Sequence, residues 1–292
     1  MYLTGFADEA AGDIDGQIGA TRELGWSNIE SRNISGRNIH DIPEDQFEVV
    51  CGKLRDAGVR INCFGSAIAN WGKSIEVPFD SSLAEAKRAI PRMKALGTEL
   101  IRIMSLAVRK NHGPDDQMEE ERFRRLRELV KMFADAGLTC VHENCMNYGG
   151  MGAVYTMRLL DAVPGLRLVF DTGNPIFTDD YSKKPPCPKQ SSWEFYASVR
   201  EHVSYIHIKD GVWDTKTGEM TYTFAGDGHG DVKRILTDLL SRGYAGGISI
   251  EPHLSVVFHD ESVKDEAIAR RSNYVEYGRR LMKLLAEIQT GR

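Results

Sequence analysis

Eight short apolar runs, separated by stretches with helical periodicity, predict an α/β fold of the (β/α)8, or TIM, barrel class for this 292-residue chain. A second observation agrees: a glycine closes most helical stretches just before the next run, as at Gly58 and Gly137. Glycine past a helix end takes the left-handed conformation without a clash. An open doubly wound sheet is the alternative, but it usually has fewer strands for this length. No linker divides the chain, so we expect one domain over residues 1–292.

The predicted strands follow one another at regular intervals. They cover residues 2–7, 27–31, 59–64, 99–105, 138–143, 166–171, 203–208 and 247–251. Two connections are longer than a barrel needs, namely residues 173–192 and residues 211–230, and the second contains a predicted hairpin. Long loops in a compact domain are usually functional, and the aromatic residues in these two favour a role in covering a ligand. The alternative is that they are solvent-exposed loops without a functional role.

Composition excludes several classes of protein. With 41% hydrophobic and 27% charged residues and no long apolar segment, the sequence is typical of a soluble globular protein with no membrane partner. The first residues lack the pattern of a signal peptide, and the five cysteines are odd in number without CxxC spacing. We therefore expect reduced thiols and a cytoplasmic location. The net charge of −5 argues against a nucleic-acid partner.

Four acidic or imidazole side chains end four consecutive predicted strands. They are Glu143, Asp171, His207 and Glu251. The carboxyl ends of barrel strands converge on one rim, where ligands bind. Three clustered carboxylates repel one another without a cation, so their convergence predicts a divalent-metal site.

The alternation of side chains along a strand tests this prediction. If Glu143 points into the barrel, so does Val141; the inward neighbours of His207 are Tyr205 and Lys209. The residues Ile248 and Ile250 should then meet the helices outside. Strand parity therefore allows all four ligands to share one interior. Carboxylate and imidazole ligands without thiolates suit Mn²⁺, Mg²⁺, Co²⁺ or Zn²⁺.

Other residues near the rim are candidates for binding a ligand. Lys209 could steer an oxyanion, although a salt bridge to a neighbouring carboxylate is the slightly favoured alternative. His229 lies in a glycine-rich turn, Glu30 ends the second strand, and Trp213 offers a flat apolar wall for a ring. Further candidates for substrate contact are Arg102, Ser105 and His253. For each of these residues a purely structural role weighs about equally.

Several short motifs resemble those of the xylose isomerase-like TIM-barrel superfamily, within its sugar phosphate isomerase/epimerase group. They are Phe6-Ala-Asp-Glu9, Glu143-Asn144, Asp171-Thr-Gly-Asn174, His207-Ile-Lys-Asp210, the turn from Gly226 to Asp231, and Ile248-Ser-Ile-Glu251-Pro-His. The resemblance spans nearly the whole chain. It implies one divalent cation, commonly Mn²⁺, held by the four ligands. It also implies a metal-dependent isomerase or epimerase in which Glu143 and Glu251 move a proton next to the carbonyl of a keto-sugar.

The sequence departs from this family at Asn174, where ketose epimerases often carry a histidine. An amide can hydrogen-bond a substrate hydroxyl but cannot exchange a proton. A lyase or dehydratase acting on a keto-cyclitol or a 3-keto-glycoside, with the same metal and glutamates, therefore remains an alternative. An endonuclease IV-like enzyme is disfavoured because the chain has few histidines and a negative charge. A non-catalytic binding module is the last alternative, and only family habit suggests a homo-oligomer.

Overall fold

Eight parallel strands form the wall of a barrel in the computed structural model, which describes residues 1–254, 256–257, 260–264 and 267–291, the second and third of these ranges as backbone only. The strands are Tyr2–Gly5 (β1), Asn28–Ser31 (β2), Arg60–Phe64 (β3), Leu100–Ile103 (β4), Thr139–Glu143 (β5), Arg167–Asp171 (β6), Val203–Ile208 (β7) and Gly247–Ile250 (β8). From β2 to β8 each strand pairs with the next, and β8 pairs with β1. A parallel bridge between Phe6 and Glu30 brings β1 to β2. The predicted barrel is confirmed.

Helices cover the outside of this wall. They are Ile14–Glu23 (α1), Glu44–Ala57 (α2), Asp80–Leu96 (α3), Glu119–Asp135 (α4), Ala153–Ala162 (α5), Asn174–Phe177 (α6), Ser192–Val199 (α7), Val232–Ser241 (α8) and Ala267–Thr290 (α9). Gly58 and Gly97 end α2 and α3 with φ of 66° and 67°, as the sequence predicts. In α4, three glutamates in the first turn complement the helix dipole.

The hydrophobic core is divided by the strand wall. A large cluster between strands and helices includes Phe133, Ile248 and Ile250, all fully buried. Truncating such a phenylalanine to alanine lowers the free energy of unfolding by about 3–5 kcal/mol. A small cluster inside the barrel contains Cys63, Val141, Val169 and Tyr205. The predicted parity of these strands is therefore confirmed.

The two long connections carry their own structure. Asp210–Trp213 and Met220–Thr223 pair antiparallel, which confirms the predicted hairpin. The segment 173–192 contains α6 and a bridge between Asp179 and Lys189. Among the described residues, Asn33–Ile34 also pairs antiparallel with Arg37–Asn38, and Val256–Val257 with Asp260–Lys264. Among the described helices, none combines the length and the apolar character needed to cross a bilayer.

Candidate metal centre

The barrel brings the four predicted ligands together. Glu143, Asp171, His207 and Glu251 are at most 3% exposed, and a ligand atom from each lies within 4.8 Å of the others. They come from the ends of β5, β6, β7 and β8, four consecutive strands of the wall. The convergence follows from strand parity and from the parallel arrangement of the sheet.

The turn after β6 fixes Asp171. Its Oδ1 accepts hydrogen bonds from the backbone N–H groups of Gly173 at 2.8 Å and Asn174 at 2.6 Å. The side chain of Asn144 pairs with the backbone of Asp171 and ties the ends of β5 and β6 together. Asp171 Oδ2 lies 3.1 Å from Lys209 Nζ, yet it accepts no hydrogen bond from the described residues. One oxygen of this carboxylate is thus held by the backbone, and the other faces the ammonium group of Lys209 and the ligand cluster.

His207 is oriented from behind by Glu30. Its Nε2 lies 3.2 Å from Glu30 Oε1, and its Nδ1 faces Glu143 Oε1 at 3.4 Å and Glu251 Oε2 at 3.8 Å. Tyr205 Oη and Ser249 Oγ both donate to Glu30 and hold it in place. Nε2 thus contacts Glu30, and Nδ1 is the ring nitrogen that faces the carboxylates; a histidine held from behind in this way by a carboxylate is oriented as metal-binding histidines usually are.

Three cations balance the buried carboxylates. Lys209 Nζ lies 2.9 Å from Glu251 Oε2, Arg102 Nη1 lies 2.9 Å from Glu143 Oε2, and Arg32 Nη1 lies 3.0 Å from Glu251 Oε1. Burial would raise the pKa of Glu143, but Arg102 and a hydrogen bond with His207 outweigh it and lower that pKa to about 2.

The other two carboxyls respond differently. For Glu251, burial is likewise outweighed, chiefly by Lys209, so its pKa falls well below the usual value. For Asp171, burial dominates and raises the pKa to about 6 despite Lys209. Asp171 is therefore the ligand whose charge the protein compensates least.

The donor set fits a divalent cation. Three carboxylates and one imidazole, without a thiolate, are ligands suited to Mn²⁺, Mg²⁺ or Zn²⁺. Asp171 Oδ2, which has only the ion pair with Lys209, and His207 Nδ1, which faces the carboxylates, are both oriented as a cation between the four residues would require. These four residues would hold the ion.

A cavity of about 180 Å³ opens beside this cluster. Glu143, Glu251, Lys209 and Asn174 line it, whereas Asp171 and His207 are fully buried. Cavities for drug-sized ligands run to about 300–1,000 Å³, so this one suits a small molecule such as a single sugar. Trp71, which is 39% exposed, belongs to the lining and supplies an aromatic surface.

The structure places some predicted ligand-binding residues at this cavity and not others. Asn174 Nδ2 donates to Glu143 Oε1 at 3.2 Å, and Lys209 makes the salt bridges considered in the sequence analysis while also lining the cavity. Glu30 is fully buried behind His207 and is not in the lining, so the structure shows it in contact with His207 rather than at the cavity.

Trp213 and His229 are also absent from the lining. Trp213 belongs to the hairpin after β7, and its ring lies under Lys189 Nζ at 4.2 Å. His229 is held by its backbone N–H, which donates to Gly211 O at 2.7 Å. The contact of Trp213 with Lys189 and the backbone bond of His229 arise within the hairpin and the turn, and strand parity does not report them.

Sequence reasoning missed Arg32, Asp8 and Glu9. Arg32 follows β2 and contacts both acids, while Asp8 and Glu9 lie in the 3-10 turn Ala7–Glu9 after β1. A signal existed, because Asp8 and Glu9 immediately follow a strand end, the same kind of position from which the four candidate metal ligands were predicted. Nothing in the sequence pairs them with an arginine more than twenty residues away.

The glycine-rich turn after the hairpin wraps around Asp210. The Oδ1 of Asp210 accepts from Gly211 N and Gly230 N, each at 2.8 Å. Its Oδ2 accepts from Gly226 N at 2.9 Å and Gly228 N at 3.1 Å. A Cβ on Gly228 would lie 2.4 Å from Asp210 Oδ1, so the turn requires glycine there. The turn binds an internal carboxylate.

The model of the xylose isomerase-like TIM barrel family matches residues 18–273. The chain therefore belongs to the xylose isomerase-like TIM barrel family. The resemblance noted in the sequence is confirmed by this match. No curated protein matches the sequence significantly.

Several solved structures share the fold. A xylose isomerase-like TIM barrel protein from Mycobacterium smegmatis in complex with magnesium has a TM-score of 0.69 and 18% identity, covering 98% of this chain and 97% of its own. A D-tagatose 3-epimerase-like protein has a TM-score of 0.68 and 13% identity over 98% and 99% of the chains. The probable 3-DHS dehydratase AsbF of Bacillus anthracis has a TM-score of 0.67 and 14% identity over 97% and 99%.

Proposed function

We propose that this protein is a divalent-metal-dependent isomerase or epimerase, which moves a proton on the carbon next to the carbonyl of a keto-sugar or a related polyhydroxy carbonyl compound. The observation that carries this proposal is the meeting of four ligand atoms within 4.8 Å beside a cavity lined by two glutamates. The epimerase-like and magnesium-bound structures of similar fold support it. Mn²⁺ is the first choice of cation, with Mg²⁺, Co²⁺ and Zn²⁺ as alternatives.

A bound divalent cation would polarise the carbonyl and stabilise the negative charge that develops on its oxygen. Glu143 and Glu251 have lowered pKa values, so both are ionised at neutral pH and either can accept a proton from carbon. They are separated along the wall by β6 and β7. This separation suits a reaction in which one glutamate removes the proton and the other returns it.

Neighbouring residues position these glutamates and the substrate. Asn174 donates to Glu143 and lines the cavity, where its amide can also bind a hydroxyl. Lys209 presents an ammonium group that can bind an oxygen carrying partial negative charge. The small volume of the cavity limits the water that reaches the reacting carbon.

A dehydratase is the second candidate. Lys209 favours it, because an ammonium group in the cavity can supply a proton to a departing hydroxyl. The similar fold of a protein described as a probable dehydratase supports the same alternative. Both reactions begin with removal of the same proton, so they differ only in the fate of the next carbon.

Metal content of the purified protein tests the proposal first. We expect about one equivalent of divalent cation per chain, and a large loss in Glu251→Gln and His207→Ala. The exposed residues Glu201 and His202 supply matched controls, Glu201→Gln and His202→Ala, which should retain the metal. A folded wild-type protein that binds no divalent cation after reconstitution would overturn the proposal.

Deuterium exchange then tests the reaction. Wild-type protein loaded with Mn²⁺ should catalyse the incorporation of deuterium from D₂O at the carbon next to the carbonyl of a ketose such as D-tagatose. The variants Glu251→Gln and His207→Ala should not. An epimeric product supports the isomerase or epimerase, whereas an unsaturated product with loss of water supports the dehydratase. Exchange that persists equally in Glu251→Gln would argue against the assigned role of this glutamate.

A further inference from the structure

Two buried arginines each hold one of the paired glutamates. Arg32 Nη1 lies 3.0 Å from Glu251 Oε1, and Arg102 Nη1 lies 2.9 Å from Glu143 Oε2. The two guanidinium carbons lie 4.4 and 5.1 Å from the centroid of the same ring, that of Phe6. The two halves of the site thus share one aromatic support.

Each arginine contacts one of the two carboxylate oxygens of its glutamate and leaves the other to different partners. The second oxygen of Glu251, Oε2, lies 2.9 Å from Lys209 Nζ, on the side of the ligand cluster. The second oxygen of Glu143, Oε1, lies 3.4 Å from His207 Nδ1. In both residues one oxygen contacts an arginine and the other is turned to the cluster.

Four hydrogen bonds to carboxylates hold Arg32. Its Nε donates to Asp8 Oδ2 at 3.0 Å, and its Nη2 donates to Asp8 Oδ1 at 3.2 Å and Glu9 Oε1 at 3.1 Å. Together with Glu251, three carboxylates surround this guanidinium. Glu9 is itself fixed by His253, whose backbone N–H donates to Glu9 Oε2 at 2.7 Å. Arg32 is therefore locked in position, and Glu251 with it.

Arg102 is held much less tightly. Glu143 is the carboxylate within its reach, and Nη2 contacts the carbonyl oxygens of Gly65 and Ser66 only at 3.4 Å each. Its Nε is buried and has no hydrogen-bond partner among the residues that the structure describes. A guanidinium has five N–H donors, and a buried donor left unbonded is unfavourable. Both arginines line the cavity, but the Nη2 of Arg32 is bonded to carboxylates at 3.1–3.2 Å, whereas the Nη2 of Arg102 makes only the long contacts to carbonyl oxygens. A small molecule that enters the cavity can therefore engage the guanidinium of Arg102 more readily than that of Arg32.

We propose that Arg102 binds an oxygen of the substrate, whereas Arg32 is a positioning residue that fixes Glu251 for cation binding. This inference rests on the proposed function and assigns unlike roles to the two halves of the site. Glu251 keeps the same arrangement before and after the substrate binds. Glu143 is paired with an arginine that can share its donors with the substrate.

Binding measurements on variants test this division. The variants are Arg102→Gln, Arg102→Lys, Arg32→Gln and Arg32→Lys, and the probes are Mn²⁺ alone and then oxalate on the Mn²⁺-saturated protein. Oxalate presents two neighbouring oxygens in one plane, as the proposed substrate does after it loses its proton. Calorimetric titration gives both dissociation constants without any need for turnover.

We expect the two arginines to give opposite patterns. Arg102→Gln should weaken oxalate at least tenfold more than it weakens Mn²⁺, because a charge-assisted hydrogen bond to the ligand is lost. Arg32→Gln should weaken Mn²⁺ about ten- to a hundredfold, the usual effect of removing a group that orients a metal ligand, with little further change for oxalate. Arg32→Lys should recover part of the Mn²⁺ affinity. Arg102→Lys keeps the charge beside Glu143 but loses the forked donors, so oxalate should stay weak.

Arg125 provides a matched control. It is 8% exposed, compared with 5% for Arg102, it pairs with Glu121, and its guanidinium carbon lies 5.3 Å from the ring of Phe79, away from the cavity. Arg125→Gln should change stability but neither dissociation constant. If Arg102→Gln does not fold, Arg102→Lys still decides the question.

The outcomes separate this inference from the proposed function. Equal patterns in the Arg32 and Arg102 variants, or normal oxalate binding by Arg102→Lys, would overturn the division of roles. If the wild-type protein binds Mn²⁺ and oxalate with the expected variant pattern but exchanges no proton of any ketose, the binding roles stand and the proposed reaction fails. In an active protein, Arg102→Gln should raise KM at least tenfold, whereas Arg32→Gln should lower kcat.

Discussion

His142 and His207 lie at the ends of two parallel strands and are both fully buried, yet they face opposite sides of the barrel wall. His142 points outward, where its Nε2 meets Ser105 Oγ at 3.0 Å and Asn147 Oδ1 at 3.1 Å. Burial among these neutral groups lowers its pKa to about 4. For His207, burial acts in the same direction, but Glu30 and Glu143 outweigh it and raise the pKa to about 10.

The difference teaches that the face of the strand decides the chemistry of a side chain. His142 and Glu143 are adjacent in sequence, and only the inward one reaches the cations and carboxylates of the site. On the outer face, the imidazole of His142 packs so closely that a Cβ on Gly149 would lie 2.3 Å from it. Side chains on the inner face are charged and paired with opposite charges, whereas side chains on the outer face have to be uncharged and closely packed.

The largest expected difference between the faces is in acid. Above pH 6.5, His142 is neutral in both the folded and the unfolded chain. As the pH falls from 6.5 towards 4, only the unfolded chain takes up this proton, so the free energy of unfolding falls by up to about 3 kcal/mol. His142→Gln lacks this group and should lose less stability over that range.

Urea unfolding of metal-free protein at pH 7 and pH 5 measures this effect. Other groups titrate in both proteins, so the informative quantity is the difference between wild type and His142→Gln. We expect the wild type to lose about 2 kcal/mol more than the variant between these pH values. Equal losses would show that the outer face tolerates a charged imidazole.

The second comparison removes the carboxylate behind His207. Glu30→Gln keeps the shape of the side chain but removes its charge, so the orientation and basicity of His207 as a ligand should suffer. We expect Mn²⁺ affinity to fall about ten- to a hundredfold, measured by titration of metal-free protein. An unchanged affinity would mean that Glu30 contributes nothing to the inner face.

The smallest expected effect lies on the outer face. Ser105 Oγ donates to Asn147 Oδ1 at 2.5 Å and accepts from Gly149 N at 2.9 Å. Ser105→Ala should lower the free energy of unfolding by about 1–2 kcal/mol, because these partners lose a buried hydrogen bond. Its Mn²⁺ affinity should equal that of the wild type. A clear loss of metal binding would show that the two faces are coupled through β5.

The sequence predicts the inner face better than its surroundings. Glu143, Asp171, His207 and Glu251 could be identified because each ends an apolar run, and strand parity with parallel pairing does the rest. The support of His207 by Glu30 could not be read, because it depends on a distance across the barrel between residues 177 positions apart. The same holds for Arg32.

The positions of loop side chains were harder still to predict from the sequence. Trp213 and His229 were expected at the cavity because their segments follow β7, but a segment's position does not give the direction of its side chains. Trp213 is taken up by Lys189, and the turn of His229 is shaped by Asp210. No periodic pattern governs these contacts, so they depend on the folded structure.

The carboxylate inside the glycine-rich turn has a consequence for ligand binding. Four backbone amides of the kind that cradle phosphate in other proteins are already engaged by Asp210, an anion tethered to the same chain. The turn is thereby ordered when the protein folds, so the entropic cost of ordering it does not reduce the affinity for a substrate. A phosphate arriving at this turn would have to displace the carboxylate of Asp210, which the chain holds there at very high effective concentration, so the turn is not built to bind phosphate.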